Sequence, residues 1–325
     1  MSEKIRWGIL STANIAQSKV IPAIKKSGNG EVLAVASRDP ARARAFAEEN
    51  GIPRAFGSYE GLIADPDVDA VYNPLPNSLH AEWSIRCAEA GKPTLCEKPL
   101  AAGADEAQRI VDAFAGRGVP LAEAHMYRFH PLTQRVKRMV DDGAVGELHL
   151  VRATFMAMAR GGRDNIRFRK GLAGGALRDV GYYCIGIMRL LAGEEPDAGH
   201  AFGCIAPGAD VDDYLAGLLS FPSGALGHFG CSLRTFFSCS YEVHGSEGRI
   251  LAPQGVVPGD EDAAIIHHWR GDEYEEIRIP PADHYRLMVE DFADALLEGR
   301  PPRFPADDAV RTMEVIDRLL ASAGL

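Results

Sequence analysis

The sequence predicts an α/β protein with a parallel sheet first and one large, largely antiparallel sheet after it. Three observations carry this. Strand and helix patterns alternate over roughly the first 120 residues, which implies right-handed βαβ units on a parallel sheet. Beyond Ala124 strand patterns dominate and are mostly linked by short turns, which implies antiparallel pairing. A chain of 325 residues is long enough for two cores.

Lys4–Leu10 is a short apolar strand, and Asn14–Lys26 reads as a helix with Ile15, Ile21 and Ile24 as core positions. Glu31–Ala36 is the second strand. Asp39-Pro40 reads as an N-cap followed by proline at the first helical position, and Gly51 closes that helix. Val68–Tyr72 is a further strand, and His80–Ala90 is a helix ended by Gly91. Pro93–Cys96 is a strand, Ala107, Ile110, Val111 and Phe114 mark one face of a helix, and Val119–Ala124 supplies another strand. Pro131–Asp142 is a helix closed by Gly143. Strands follow at Glu147–Met158, His200–Ile205, Asp213–Phe221, Ala225–Leu233, Tyr241–Gly245, Arg249–Ala252, Ala264–Trp269 and Glu275–Ile279. Two helices close the chain, near His284–Glu298 and Ala306–Ala323. The boundary falls near Ala124, giving domains 1–124 and 125–325 with no flexible linker between them.

Acidic residues outnumber basic ones, 45 against 35. This argues against nucleic acid or an anionic membrane as partner, and local positive charge must capture any phosphate-bearing ligand. The N-terminus lacks the apolar core and cleavage site of a signal peptide. The uncharged stretch Tyr214–Leu233 has the length of a membrane span, but Pro222 and several glycines break it into two alternating runs, so it is expected as a β-hairpin. Six scattered cysteines without a CxxC pair read as reduced thiols of a cytoplasmic protein, with no structural zinc or other metal.

The stretch "WGILSTANIAQ", residues 7–17, follows the first strand where a dinucleotide-binding chain has Gly-x-Gly-x-x-Gly. Ser11, Ala13 and Ala16 stand at the three glycine places. All are small, and backbone N–H groups at a helix start are what hold phosphate. Ser11, Thr12, Ala13, Asn14 and Ile15 are therefore the expected phosphate contacts, Ile15 through its N–H alone. Any strand-turn-helix with small residues would read the same way. After the second strand, where an NAD enzyme carries Asp or Glu for the ribose hydroxyl, this chain has Ser37-Arg38. A hydroxyl and a guanidinium suit a 2′-phosphate, so NADP is expected, with NAD as the alternative if Asp39 turns inward and Arg38 is only a surface charge.

"GKPTLCEKPL", residues 91–100, places Glu97-Lys98-Pro99 at the end of a parallel strand, where α/β sheets bind ligands. A lysine there can exchange a proton with a substrate oxygen during hydride transfer. The order of this motif, "AHMYRFHP" and "GGALRDVGYYCI" resembles the glucose-fructose oxidoreductase / inositol dehydrogenase (Gfo/Idh/MocA) family over nearly the whole chain. The resemblance implies an N-terminal Rossmann domain and a C-terminal α/β domain for substrate binding and oligomerisation, built on an open, mainly antiparallel sheet. It also implies a catalytic lysine, Lys98, completed by Asp179 and, four residues on, Tyr183. Those two would share one helix face, with Tyr183 as proton donor or acceptor and Asp179 orienting substrate or tuning Lys98. Tyrosine rather than histidine at 183 resembles the dihydrodiol and D-xylose dehydrogenase branch. Tyr182 is the neighbour open to confusion with it, and a helix cap is the competing reading of Asp179.

Further cofactor contacts are expected from "NPLPNSLH", namely Pro74, Leu75, Asn77 and His80, together with Glu97. Arg128 is expected to bind cofactor or substrate, an ion pair being the alternative. His125, where the family often has Phe, is expected near the substrate, as are Asn165 and Arg167 of "GRDNIRF". The reading is thus an NADP-dependent oxidoreductase acting on a secondary carbinol or carbonyl of a sugar-like substrate. A non-catalytic dinucleotide-binding sensor and an enzyme that never releases its cofactor are the alternatives. The resemblance further implies a homo-oligomer, a dimer rather than a tetramer, formed through the broad sheet.

Overall fold

The computed structural model of the protein describes residues 4–159, 165–206 and 209–325. The chain divides into two compact units, Met1–Met126 with His284–Val310, and Tyr127–Asp283 with Arg311–Leu325.

In the first unit, β1 (Ile5–Leu10), β2 (Gly30–Ala36), β3 (Arg54–Phe56), β4 (Ala70–Asn73), β5 (Thr94–Glu97) and β6 (Leu121–Ala124) form a parallel sheet in the order β3-β2-β1-β4-β5-β6. Helices α1 (Ile21–Lys26), α2 (Pro40–Glu49), α3 (Tyr59–Ile63), α4 (His80–Glu89) and α5 (Ala104–Ala115) alternate with the strands. The expected Asp39 cap is present, its Oδ1 accepting from Ala41 N at 2.8 Å and Arg42 N at 3.3 Å. On α5, Ala107, Ile110 and Phe114 are buried, the spacing of one apolar stripe. The helix expected over 14–26 is not regular. Ala16–Val20 forms a wide turn in which Ile21 N bonds back to Ala16 O, and α1 starts beyond it. Pro22 is the reason, because its missing N–H removes one ordinary helical bond. Sequence reading missed β3 and α3, each of five residues or fewer.

The second unit holds α6 (Pro131–Asp141), β7 (Leu148–Met158), α7 (Tyr182–Ala192) and strands β8 (Ala198–Cys204), β9 (Tyr214–Ser220), β10 (Leu226–Ser232), β11 (Arg234–Ser238), β12 (Tyr241–Gly245), β13 (Gly248–Ala252), β14 (Ala264–Arg270) and β15 (Glu273–Ile279). Among the described residues the sheet runs β15-β14-β13-β12-β7-β10-β9-β8, with β11 also paired to β7. Only the β7–β10 pair is parallel, so the sheet is mixed and mostly antiparallel. The uncharged stretch is the expected hairpin, β9 pairing with β10 from Ser220↔Leu226 to Tyr214↔Ser232. After β10 the chain crosses the end of β7, where Ala159 N bonds to Leu233 O at 2.9 Å, and returns along the other side of β7 as β11 and β12.

Two helices end the chain, α8 (His284–Glu298) and α9 (Asp307–Ser322). The expectation that everything after residue 125 forms one domain is corrected by α8. It packs with the first unit, where Phe292 meets Trp7 with ring centroids 5.6 Å apart and Asp294 Oδ1 accepts from Asn29 Nδ2 at 2.6 Å. Among the described residues no helix is long and apolar enough to cross a membrane.

Candidate active site

The strand order of the first sheet reverses between β1 and β4, and ligands bind such sheets in the crevice outside the C-terminal strand ends. The turns after β1, β2, β4, β5 and β6 all emerge on that edge, and they contain Ser11, Ser37-Arg38, Pro74-Leu75, Lys98 and His125. Ser11 has φ +116°, in the region that favours glycine, at the first glycine place of the fingerprint. Its hydroxyl lies 3.5 Å from Pro74 O. Thr12 and Ala13 complete the turn, and Asn14 and Ile15 open the helix after it.

At β2, Asp39 faces its own helix as the α2 cap, and Ser37 Oγ accepts from Asp39 N at 3.2 Å. Arg38 is exposed. Its guanidinium and that of Arg42 both act on the Tyr59 hydroxyl, drawing down a pKa that burial raises. Arg42 thus adds a second positive charge acting at the same hydroxyl as Arg38.

The Lys98 turn is held by several side chains of the first unit. The Lys98-Pro99 peptide is cis, and Lys98 is partly exposed. Tyr72 OH donates to Glu97 Oε1 at 2.6 Å, and Lys98 N donates to Glu97 Oε2 at 3.2 Å. Burial pushes the Glu97 carboxyl above the usual carboxylate range, against the Tyr72 hydroxyl and the Lys98 cation. Both carboxylate oxygens of Glu97 are thus engaged at the turn itself.

His80 holds the same turn from α4. Its ring is fully buried, with Nδ1 2.8 Å from Pro99 O and Nε2 2.6 Å from Leu75 O, so it ties the β4 turn to the β5 turn. Burial lowers its pKa while both carbonyls oppose that shift. Asn73 braces the β4 turn, with Nδ2 donating to Ser84 Oγ at 3.0 Å and Oδ1 accepting from Leu75 N at 3.3 Å. Asn77 begins the short helical turn that leads into α4. His125, expected beside substrate, is 3% exposed and turned toward Glu123, Nδ1 to Oε2 3.4 Å.

In the second unit, Asp179 and Tyr183 lie at the start of α7, across a wide turn over Leu177–Gly181 rather than in a regular helix. Asp179 is not the helix cap. Asp212 performs that role from 35 residues away, its Oδ2 accepting from Leu177 N at 2.7 Å and its backbone O from Ala176 N at 2.8 Å. Burial pushes the Asp212 carboxyl up, and these N–H groups oppose it. Arg167 Nε donates to Asp179 Oδ2, which brings two of the expected substrate residues together. Asn165 instead caps the short turn holding Arg167, its Oδ1 accepting from Arg167 N at 3.0 Å.

Tyr182 is fully buried. Tyr183 retains slight exposure, and its ring lies between Tyr127 (centroids 6.0 Å) and Phe155 (5.3 Å). Arg128 is buried, and its backbone O accepts from Gln134 Nε2 at 2.5 Å. Gly162, Arg163 and Asp164 of "GRDNIRF" lie outside the described residues.

Sequence reasoning missed Tyr72, Glu123, Asp212 and the Gly174-Gly175 pair. A Cβ on Gly174 would strike Arg167 O, and one on Gly175, at φ +122°, would strike the Asp212 carboxylate. The doubled glycine in "GGALRD" was the available signal, since only a residue without Cβ permits such close approach.

Two family descriptions match the chain: the oxidoreductase family with an NAD-binding Rossmann fold over residues 5–125, and the Gfo/Idh/MocA C-terminal domain over residues 133–251. A D-xylose 1-dehydrogenase (NADP(+)) of Haloferax volcanii is 41% identical, covering 98% of this chain and 97% of the relative. A trans-1,2-dihydrobenzene-1,2-diol dehydrogenase of Bos taurus is 32% identical, covering 86% and 81%. A 3-ketoreductase from Actinomadura kijaniata, solved with NADP and TDP-benzene, superposes with a TM-score of 0.93 at 32% identity and 98% coverage of both chains. With the parallel sheet, the Lys98 turn and the mixed sheet in place, these likenesses show that the chain belongs to the Gfo/Idh/MocA family of oxidoreductases.

Proposed function

We propose that this protein is an NADP-dependent oxidoreductase that moves a hydride between the nicotinamide and a secondary carbinol or carbonyl of a sugar, polyol or cyclic diol. The Lys98 turn carries this reading. A lysine stands at the C-terminal end of a parallel strand, on the edge where such sheets bind ligands, and buried side chains fix the backbone around it. The residues present fit the cofactor. Ser11 holds the glycine-like φ of a phosphate-binding turn. Arg38 with Arg42 supplies positive charge for a 2′-phosphate, while the adjacent carboxylate of Asp39 is committed to its helix.

NADP supplies or takes the hydride when bound. Lys98 exchanges the proton at the substrate oxygen. Tyr183 is the second proton-exchanging group, and its ring is kept in place by Tyr127 and Phe155. Asp179, fixed by Arg167, orients a substrate hydroxyl. Phe202, Tyr214, Leu218 and Leu226 lie exposed on one face of the second sheet, by the register of β8, β9 and β10. That apolar face supports a homodimer.

Lys98→Ala tests the reading. Turnover is expected to fall by roughly 10²–10⁴, while NADPH binding, followed by fluorescence titration, largely survives. Retained turnover on the sugars and diols used by the wild type would overturn it.

A further inference from the structure

The three consecutive residues Lys98, Pro99 and Leu100 each have one backbone polar atom held by an ionisable side chain. Lys98 N is held by Glu97, Pro99 O by His80, and Leu100 N donates to Glu123 Oε1 at 2.9 Å. Glu97 moves with the turn, so the anchors from elsewhere in the unit are His80 on α4 and Glu123 on β6. Glu123 pairs through its backbone with Cys96 of β5, which needs no carboxylate. Its side chain is nevertheless 9% exposed, and its second oxygen faces the enclosed His125 ring. Burying a carboxylate costs free energy unless it is used, and the use on view is a charge-assisted bond to Leu100 N–H.

We propose that Glu123 is a positioning residue for Lys98, holding the backbone of the lysine turn from the neighbouring strand. Leu100 N is separated from Lys98 by a single proline of fixed φ. A shift of that N–H therefore reaches the lysine rather than dissipating in the loop. The inference rests on the reading of Lys98 as the proton-exchanging group.

The test compares Glu123→Ala with Glu123→Gln, which keeps an oxygen for Leu100 N–H, in the full-length enzyme with NADPH. Misplacing a catalytic group by about 1 Å costs up to roughly a hundredfold, so Glu123→Ala is expected to lower kcat by about ten- to a hundredfold. The NADPH Kd should change little, and the solvent deuterium isotope effect on kcat/KM should rise as proton transfer slows. Glu123→Gln should recover most of the lost kcat. Full turnover in Glu123→Ala would overturn the proposal, as would a Gln variant as damaged as the Ala variant. If Glu123→Ala does not fold, Glu123→Asp replaces it, pulling the carboxylate back by one methylene. A lowered kcat with NADPH affinity kept then supports the proposal, and unchanged kcat overturns it. Lys98→Ala is measured alongside. If that variant keeps turnover, the reading of Lys98 fails whatever Glu123 does. If it collapses while Glu123→Ala is fully active, only the role of Glu123 fails.

Discussion

The turn carrying Lys98 in the first unit and the turn carrying Asp179 and Tyr183 in the second are held by different kinds of group. Around Lys98 the holding groups are Tyr72, Glu97, His80 and Glu123, each with a polar atom on the turn or on its neighbour. Around Asp179 the geometry depends on missing atoms. Gly174 and Gly175 let Arg167 O and the Asp212 carboxylate approach closer than any Cβ allows. An array of hydrogen bonds can lose one member and shift by a fraction of an ångström. A close-packed backbone contact has no such intermediate state.

The largest effect bearing on this contrast is chemical. Tyr183→Phe keeps the ring between Tyr127 and Phe155 and removes only the hydroxyl. Turnover is expected to fall by roughly 10²–10⁴ with no change in thermal midpoint. A variant that unfolds earlier but turns over normally would assign Tyr183 to packing instead.

Gly175→Ala is the next largest and falls on stability. The new Cβ meets the Asp212 carboxylate at a φ that non-glycine residues rarely adopt, and Asp212 is the group capping Leu177. Strain and the displaced cap together are expected to cost about 2–4 kcal/mol, read by urea denaturation. Glu123→Gln, by contrast, should leave the denaturation midpoint almost unmoved. Equal losses in the two variants would erase the distinction between the turns.

The first sheet was largely legible in the sequence because its signals are local. Apolar runs bounded by turn residues gave five of the strands, and Asp39-Pro40 marked a helix start that exists as read. β3 escaped because Arg54–Phe56 is three mostly exposed residues with no period to detect. β11 escaped because all five of its residues are exposed, so no burial pattern exists to read. The return of α8 to the first unit rests on Phe292 against Trp7, a contact between residues far apart in the chain. The site divides the same way. Lys98 was legible from its place at a strand end, and Asp179 and Tyr183 from a motif. Glu123 and Asp212 were not, because each acts on a backbone N–H 23 or 35 residues away. For the same reason the partners of the buried His80 and His125 rings, Pro99 O, Leu75 O and Glu123, were not legible.

The smallest expected effect asks whether a titrating side chain also supports the second unit, at the start of α6. His130 caps α6, with Leu132 N donating to His130 Nδ1 at 3.0 Å, and the ring can accept that bond only while Nδ1 carries no proton. Burial pushes the His130 pKa from 6.5 down to about 4. The folded chain therefore binds this proton less readily than the unfolded chain does. The resulting stability is fully present above about pH 6.5 and is lost as pH falls toward 4. At ~1.4 kcal/mol per pKa unit, and discounted for partial solvent screening, the loss is about 2 kcal/mol. Asparagine also caps helices but does not titrate, so His130→Asn should flatten this acid limb when midpoints are measured across the window. If the limb persists unchanged, acid sensitivity lies elsewhere. If it flattens, the second unit has a titrating support at α6 in addition to the Asp212 carboxylate that caps the turn beside Asp179.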